Sequence, residues 1–254
     1  MKLELKSLIR KVLPRKVRPY KILSGPLKGQ KIVTSWHDYP ASILGKTELQ
    51  LINWFKINVK QGETWIDIGA HYGYTSIALC NYVGPKGRVF AFEPMLATVG
   101  YLAKTRIINN YSQLFIFPFA LSNIKGISIS RLPVTRGMLD STYNPVEKEK
   151  IDEIFYVTNL DWVWAFICGD DPQISGIKID VQGMEMFTLL GMKDYLITYH
   201  PKLIVEFHSC VNRDQILDFL KEIGYSKIAL PIEPQKGELV PMFFDNRSYY
   251  FEYE

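Results

Sequence analysis

The stretch Trp65-Ile66-Asp67-Ile68-Gly69-Ala70-His71-Tyr72-Gly73-Tyr74-Thr75 decides the fold. It reads as a buried strand that runs into a glycine-bearing turn and then a helix. A turn of this kind presents free backbone N–H groups at a helix N-terminus, where an anionic group can sit. Gly69 and Gly73 are expected to let a ligand approach the backbone with no Cβ in the way. An ordinary tight turn is the plain alternative. A second apolar run, Val89-Phe90-Ala91-Phe92, argues against it, because it ends in Glu93-Pro94, 24 residues after Gly69. An acidic residue at that place is positioned to accept both hydroxyls of a ribose.

Outward from this pair, short runs rich in Val, Ile and Phe alternate with helical patterns, the signature of a parallel sheet covered by helices. The expected buried strands are 64–68, 88–92, 114–118, 177–180 and 203–207. Weaker strand signals lie at 126–130 and 155–160, a helix opens at Asp161, and 131–150 reads as an exposed loop. A helix near 212–223, a strand near 226–230 and an aromatic strand at 248–253 finish the chain. Gly237 and Asp245-Asn246 between those strands suggest an antiparallel pair at one sheet edge.

The composition, 254 residues with 47% hydrophobic and 22% charged, is that of a globular protein and excludes disorder, collagen and coiled coil. Cys80, Cys168 and Cys210 form no CxxC pair, which fits a reducing, cytoplasmic setting. In the first 31 residues ten lysines and arginines face Glu4 alone, so the net charge of +4 hides a remainder with 20 basic and 25 acidic residues. Leu5, Leu8, Ile9, Val12 and Leu13 recur at helical spacing until Pro14, which describes a basic amphipathic helix. Such a helix suits peripheral membrane contact through residues 1–31, nucleic acid, or packing on the body. Arg10, Lys11 and Pro14 interrupt any signal-peptide core.

Glycine spacing narrows the nucleotide. A dinucleotide fingerprint from Gly69 needs glycines where His71 and Tyr74 stand, so a pyrophosphate has little room. The D-x-G-x-x-x-G pattern suits a small carboxylate instead, as in S-adenosylmethionine, with its amino-acid end on the turn and its ribose at Glu93. Tyr72 or Tyr74 is able to face the sulfonium. A Tyr-x-x-x-Lys pair, Tyr82 and Lys86, is broken by Gly84-Pro85, which leaves NAD-dependent hydride transfer a distant reading.

Further segments extend the pattern: Glu48 ahead of the first strand, Ala120-Leu121-Ser122, Thr158-Asn159-Leu160-Asp161, Lys178-Ile179-Asp180-Val181-Gln182-Gly183-Met184-Glu185 and Ile204-Val205-Glu206-Phe207-His208. Across about residues 47–208 the chain resembles the FkbM-type family of S-adenosylmethionine-dependent methyltransferases. The Lys-Ile-Asp-Val-x-Gly-x-Glu segment is the specific part. Gln182 departs from the family's usual Glu, so a charged contact there is dispensable or altered.

The resemblance implies an α/β, Rossmann-like class I methyltransferase fold: a seven-stranded, mostly parallel sheet with an antiparallel last strand and helices on both faces. The methyltransferase domain would span 47–254 behind a basic arm or cap at 1–46. The resemblance also implies S-adenosylmethionine as cofactor and methylation of a hydroxyl on a sugar, glycan or secondary metabolite, with a small-molecule or carbohydrate acceptor. The cofactor-binding residues carried over are Glu48, Asp67, Gly69, Ala70, His71, Tyr72, Gly73, Thr75, Glu93, Pro94, Ala120, Leu121, Ser122 and Asp180.

A hydroxyl acceptor needs a destination for its proton. Ligands lie outside the carboxyl ends of parallel strands, where Asp180, Glu206 and His208 gather. His208 is the expected base, oriented by Asp180 or Glu206, and these three are the expected catalytic residues. No metal is expected, although the same trio is an alternative ligand set for a divalent ion. Glu185 reads as a first-turn carboxylate favourable to a helix dipole. Against nucleic-acid methylation, no Asp/Asn-Pro-Pro-Tyr follows the fourth strand and no Pro-Cys occurs. A basic-arm RNA methyltransferase and a non-catalytic cofactor-binding scaffold stay open as alternatives.

Overall fold

A computed structural model describes residues 13–135, 138–139, 152–171, 173–208, 211–226, 229–238, 241, 243 and 246–254. The expected basic helix before Leu13, most of the expected loop at 140–150, Cys210 and Asp245 lie outside the described residues. The chain opens with strands β1 (Arg18–Lys21) and β2 (Lys31–Thr34), then helices α1 (Pro40–Leu44) and α2 (Leu49–Asn58). Next come β3 (Thr64–Ile68), α3 (Tyr74–Val83), β4 (Arg88–Phe92), α4 (Leu96–Ile108), β5 (Leu114–Phe117) and β6 (Phe119–Leu121). After β7 (Ser128–Thr135), β8 (Met138–Leu139), β9 (Asp152–Thr158) and α5 (Leu160–Ile167), the chain returns to the centre as β10 (Gly176–Ile179). It ends through α6 (Glu185–Leu190), α7 (Lys193–Tyr199), β11 (Lys202–Phe207), α8 (Arg213–Glu222), β12 (Leu230–Pro231) and β13 (Arg247–Phe251).

The main sheet has seven strands in the order β12-β13-β11-β10-β3-β4-β5. β10, β11, β3, β4 and β5 pair in parallel, whereas β13 is antiparallel to both β11 and β12. All five residues of β3 are buried, because a central parallel strand is covered on both faces. Side chains alternate across the sheet with period two. Ile66, Ile68, Phe90 and Phe92 face a core shared with α5, α6, α7 and α8, and Trp65, Val89 and Ala91 face one shared with α2, α3 and α4. The strand order reverses between β3 and β10. Their register pairs Ile68 with both Phe92 and Ile179, which brings Gly69, Glu93 and Asp180 side by side at the carboxyl ends, where a switch-point crevice forms.

Three features depart from the sequence reading. Residues 131–135 are strand, not loop: they belong to β7, in a second, four-stranded sheet ordered β6-β9-β7-β8. Arg131 and Pro133 interrupt the apolar pattern there, and a proline inside a run speaks against a strand unless it lies at an edge or a bulge. The edge strand expected near 226–230 is described only at Leu230–Pro231, with Tyr225 bridging Tyr253 just before it. The segment before α1, for which no strand was expected, forms the β1–β2 hairpin.

That hairpin is pinned to the body by side chains of α4. Val33 N donates to Thr105 Oγ1 at 2.9 Å, and Asn109 accepts from Lys31 N at 2.9 Å while its amide donates to Lys31 O. Ile22, Leu27 and Ile32 are buried in the α2–α3–α4 core. Among the described residues no helix is long and apolar enough to cross a membrane. Replacing Thr105 by Val keeps the shape but strands the buried Val33 N–H, which is expected to lower stability by about 1–3 kcal/mol. An unchanged urea midpoint in Thr105→Val would show that the latch contributes nothing.

Candidate active site

The turn after β3 is shaped by the chain's own packing. Gly69 has φ 77°, and a Cβ on it would lie 1.8 Å from the carbonyl oxygen of Asp180. Gly73 has φ 91°, and a Cβ there would lie 2.2 Å from Leu102 Cδ1 on α4. A Cβ at either glycine is thus excluded by the close approach of the segment after β10 and of α4, a constraint that the sequence reading did not include. His71 also takes a left-handed backbone, with φ 50°. This turns its N–H onto Glu93 Oε2 at 2.9 Å, and Met95 N donates to Glu93 Oε1 at 3.0 Å. Glu93 therefore ties the exit of β4 to the turn. Burial raises its pKa to about 7 in spite of the two N–H donors.

Beneath the turn sits Lys178, opposite Asp67 in the β10–β3 register. Its side chain is 3% exposed, and the ammonium lies 3.3 Å from Asp67 Oδ1 and 3.3 Å from Asp180 Oδ2. Burial alone would depress the lysine pKa, but Asp180 and Asp67 hold it above its usual range. Burial likewise works against ionisation of Asp180, and Lys178 followed by His208 keeps its carboxyl below the usual range. The other oxygen of Asp67 accepts from Thr75 Oγ1 at 2.7 Å and Ser76 Oγ at 2.6 Å, which anchors the first turn of α3.

On the far side of Asp180 stands His208. Its Nδ1 lies 2.6 Å from Glu185 Oε1, so Glu185 orients the imidazole, the part expected of Asp180 or Glu206. Those two approach His208 Nε2 only to 3.6 Å and 3.7 Å. Glu185 is fully buried and also accepts from Gly183 N at 3.1 Å, more than the dipole role read from sequence. Gln182 Nε2 sits 2.9 Å from His208 Nε2 and 3.3 Å from Asp180 Oδ1. The amide thereby stands between the imidazole and the open crevice.

The crevice is a cavity of about 520 Å³. Gly69, Ala70 and His71 from the turn and Thr75 from the start of α3 line it, with Glu93 and Pro94 just past β4 and Ala120, Leu121 and Ser122 from β6 and its exit. Glu48, Asp180 and Glu206 complete the charged wall. Four of the predicted site residues do not reach it: Asp67 is beneath the turn, Gly73 packs on Leu102, His208 is behind Gln182, and Tyr72 stacks on Tyr101 with ring centroids 5.9 Å apart. Tyr74 does line it. Further residues outside the predicted set also line the cavity, among them Lys178, Gln182 and Tyr39. Lys178 and Gln182 carried a signal in the Lys-Ile-Asp-Val-x-Gly-x-Glu segment, whereas Tyr39, whose ring packs 5.4 Å from His71, carried none. Burial lifts the Tyr39 phenol well above its ordinary range and so keeps it neutral.

A family model described as the methyltransferase FkbM domain matches residues 67–227, more than half of the sequence. The chain belongs to the FkbM methyltransferase family. It is an S-adenosylmethionine-dependent methyltransferase. Among solved structures it is similar to methyltransferase FkbM from Methylobacillus flagellatus KT, with TM-score 0.50 and 16% identity over 78% of this chain and 50% of that one. It thus spans half the length of that relative. A candidate rRNA methylase from Clostridium thermocellum matches with TM-score 0.50 and 13% identity over 80% of this chain and 93% of that one. At these identities the likeness concerns the fold. No protein of curated function matches the sequence.

For an FkbM methyltransferase the metal question turns on the donor set. Asp180, Glu206 and His208 offer ligand atoms within 4.8 Å of one another. A cation among them would stand beside the Lys178 ammonium and would displace the Gln182 amide from its contacts with Asp180 and His208. The trio fits a divalent ion poorly.

The clash at Gly69 gives a stability test. Gly69→Ala places a methyl against the Asp180 carbonyl and is expected to lose on the order of 3 kcal/mol. Gly62 has φ 85° with nothing within 4 Å of a built Cβ, so Gly62→Ala is expected to lose only about 1 kcal/mol. Equal shifts of the two urea midpoints would contradict the close packing of β3 and β10.

Proposed function

We propose that the protein methylates a hydroxyl on a sugar, glycan or secondary metabolite, with Glu206 taking the acceptor's proton. The observation that carries this reading is the state of Glu206. Its carboxyl lines the cavity beside Asp180, and burial, then the charges of Asp180 and Glu48, raise its pKa to about 8. A base serves best when its pKa lies near the working pH. Asp180 is a poorer base because Lys178 holds it ionised. His208 is a poorer candidate than the sequence suggested because the Gln182 amide covers Nε2.

The cavity suits S-adenosylmethionine. Glu93 uses one lone pair of each oxygen on a backbone N–H and keeps others free for ribose hydroxyls. The Gly69-Ala70-His71 turn would hold the amino-acid end, Ala120, Leu121 and Ser122 the base, and Asp180 with Glu48 the side facing the acceptor. When bound, the cofactor supplies an electrophilic methyl group on a positively charged sulfur. The chain's own part is to hold the acceptor oxygen in line, which contributes much of the acceleration, and to remove its proton. His208, 3.7 Å from Glu206, lowers the proton affinity of that carboxyl when the imidazole is protonated, since a positive charge favours the carboxylate.

Methyl transfer to a hydroxyl acceptor should therefore rise with pH and level off above about 8, because the carboxylate is the active form. Glu206→Gln is expected to lower kcat by about 100-fold to 1,000-fold and to flatten this limb. In His208→Ala the limb should move to higher pH and remain. A Glu206→Gln enzyme with an unchanged pH profile would remove Glu206 from the reaction.

A further inference from the structure

A second cavity of about 230 Å³ adjoins the first. Glu48 and Glu206 belong to the walls of both, so a pair of carboxyls is the partition between them. The other walls come from the start of α2, with Lys46 and Gln50, and from the entrance of β13, with Asn246 and Ser248. Glu48 is the N-cap of α2 at φ 50° and makes no side-chain cap bond. The first-turn N–H groups of α2 have no intrahelical partners.

These walls mix donors with acceptors. Backbone N–H groups, the Gln50 and Asn246 amides and the Lys46 ammonium donate, with the Arg247 guanidinium held by Glu238, and the Glu48, Glu206 and Glu233 carboxylates accept. A phosphate or carboxylate would meet three glutamates, and an ammonium would meet Lys46, Arg247 and the positive end of a helix. A hydroxyl is the group that both donates and accepts. The volume falls below the usual range for a drug-sized ligand and has room for about one ring. Ile232 and Leu51 in the same wall supply an apolar surface for its C–H face.

We infer that this second cavity is the acceptor subsite and that it takes an uncharged, polyhydroxylated ring with one hydroxyl presented to Glu206. The inference rests on the methyltransferase reading of the first cavity. In the transfer the acceptor oxygen gains the methyl carbon as the carbon–sulfur bond breaks. The electron pair leaves with sulfur, and the hydroxyl proton passes to Glu206.

Saturation-transfer NMR on the full chain with S-adenosylhomocysteine, using methyl glucopyranoside, glucuronate, glucosamine and catechol as probes, tests this. The neutral glycoside is expected to give the strongest contact, at least about fivefold above glucuronate and glucosamine. Gln50→Ala should weaken glycoside binding about fivefold, the loss of one hydrogen bond. Gln50→Trp, which fills the cavity, should abolish it while S-adenosylhomocysteine still raises Tm as in the wild type. No glycoside signal, a signal that survives Gln50→Trp, or stronger contact by catechol or glucuronate overturns the assignment. A wild-type chain that S-adenosylhomocysteine fails to stabilise would instead overturn the donor-site reading beneath it.

Discussion

The ammonium of Lys178 is the constraint on which the rest of the structure depends. It lies between Asp67 near the end of β3 and Asp180 just past β10, all three at the seam where the strand order reverses. An isolated charge in such a place is strongly disfavoured, and removing one partner of a buried pair typically loses about 3–5 kcal/mol. The three groups are tolerable only together. Asp67 in turn holds Thr75 and Ser76, so the same cluster that joins two strands also fixes the helix behind the turn.

From this seam the site follows as geometry. With β3, β4 and β10 in one register, Gly69, Glu93 and Asp180 end level with each other, and the cavity forms above them. Lys178 neutralises Asp180, which leaves Glu206 as the carboxyl that burial and neighbouring negative charge push toward neutral-pH titration. Division of labour among chemically similar carboxyls is thus set by which of them the lysine reaches. Gln182 adds a neutral bridge between Asp180 and His208.

Much of this was legible in the sequence, for identifiable reasons. Strands buried on both faces appear as uninterrupted apolar runs, and β3, β4, β5, β10 and β11 were each placed within two residues. Glu93, Asp180 and Glu206 were legible because a parallel strand fixes where its carboxyl end lies. The small sheet was legible only in part: the start of β7 and the end of β9 carried weak strand signals, but Arg131 and Pro133 in the second half of β7 read as loop. The direction of His208 was not legible either: its partner Glu185 is 23 positions away, and only tertiary packing sets which carboxyl meets which ring nitrogen. The glycines were found for an incomplete reason, because the carbonyl of Asp180 and the side chain of Leu102 that exclude a Cβ come from distant segments. Tyr39 reaches the cavity through the tertiary packing of the segment that leads into α1, about which local sequence says nothing.

The most direct test of the account is a crystal structure of the chain with S-adenosylhomocysteine. It should show the ribose hydroxyls on the Glu93 carboxylate, the amino-acid end on the Gly69-Ala70-His71 turn, and the sulfur facing Asp180 and Glu206. Density for the ligand elsewhere, or a ribose out of reach of Glu93, would contradict it.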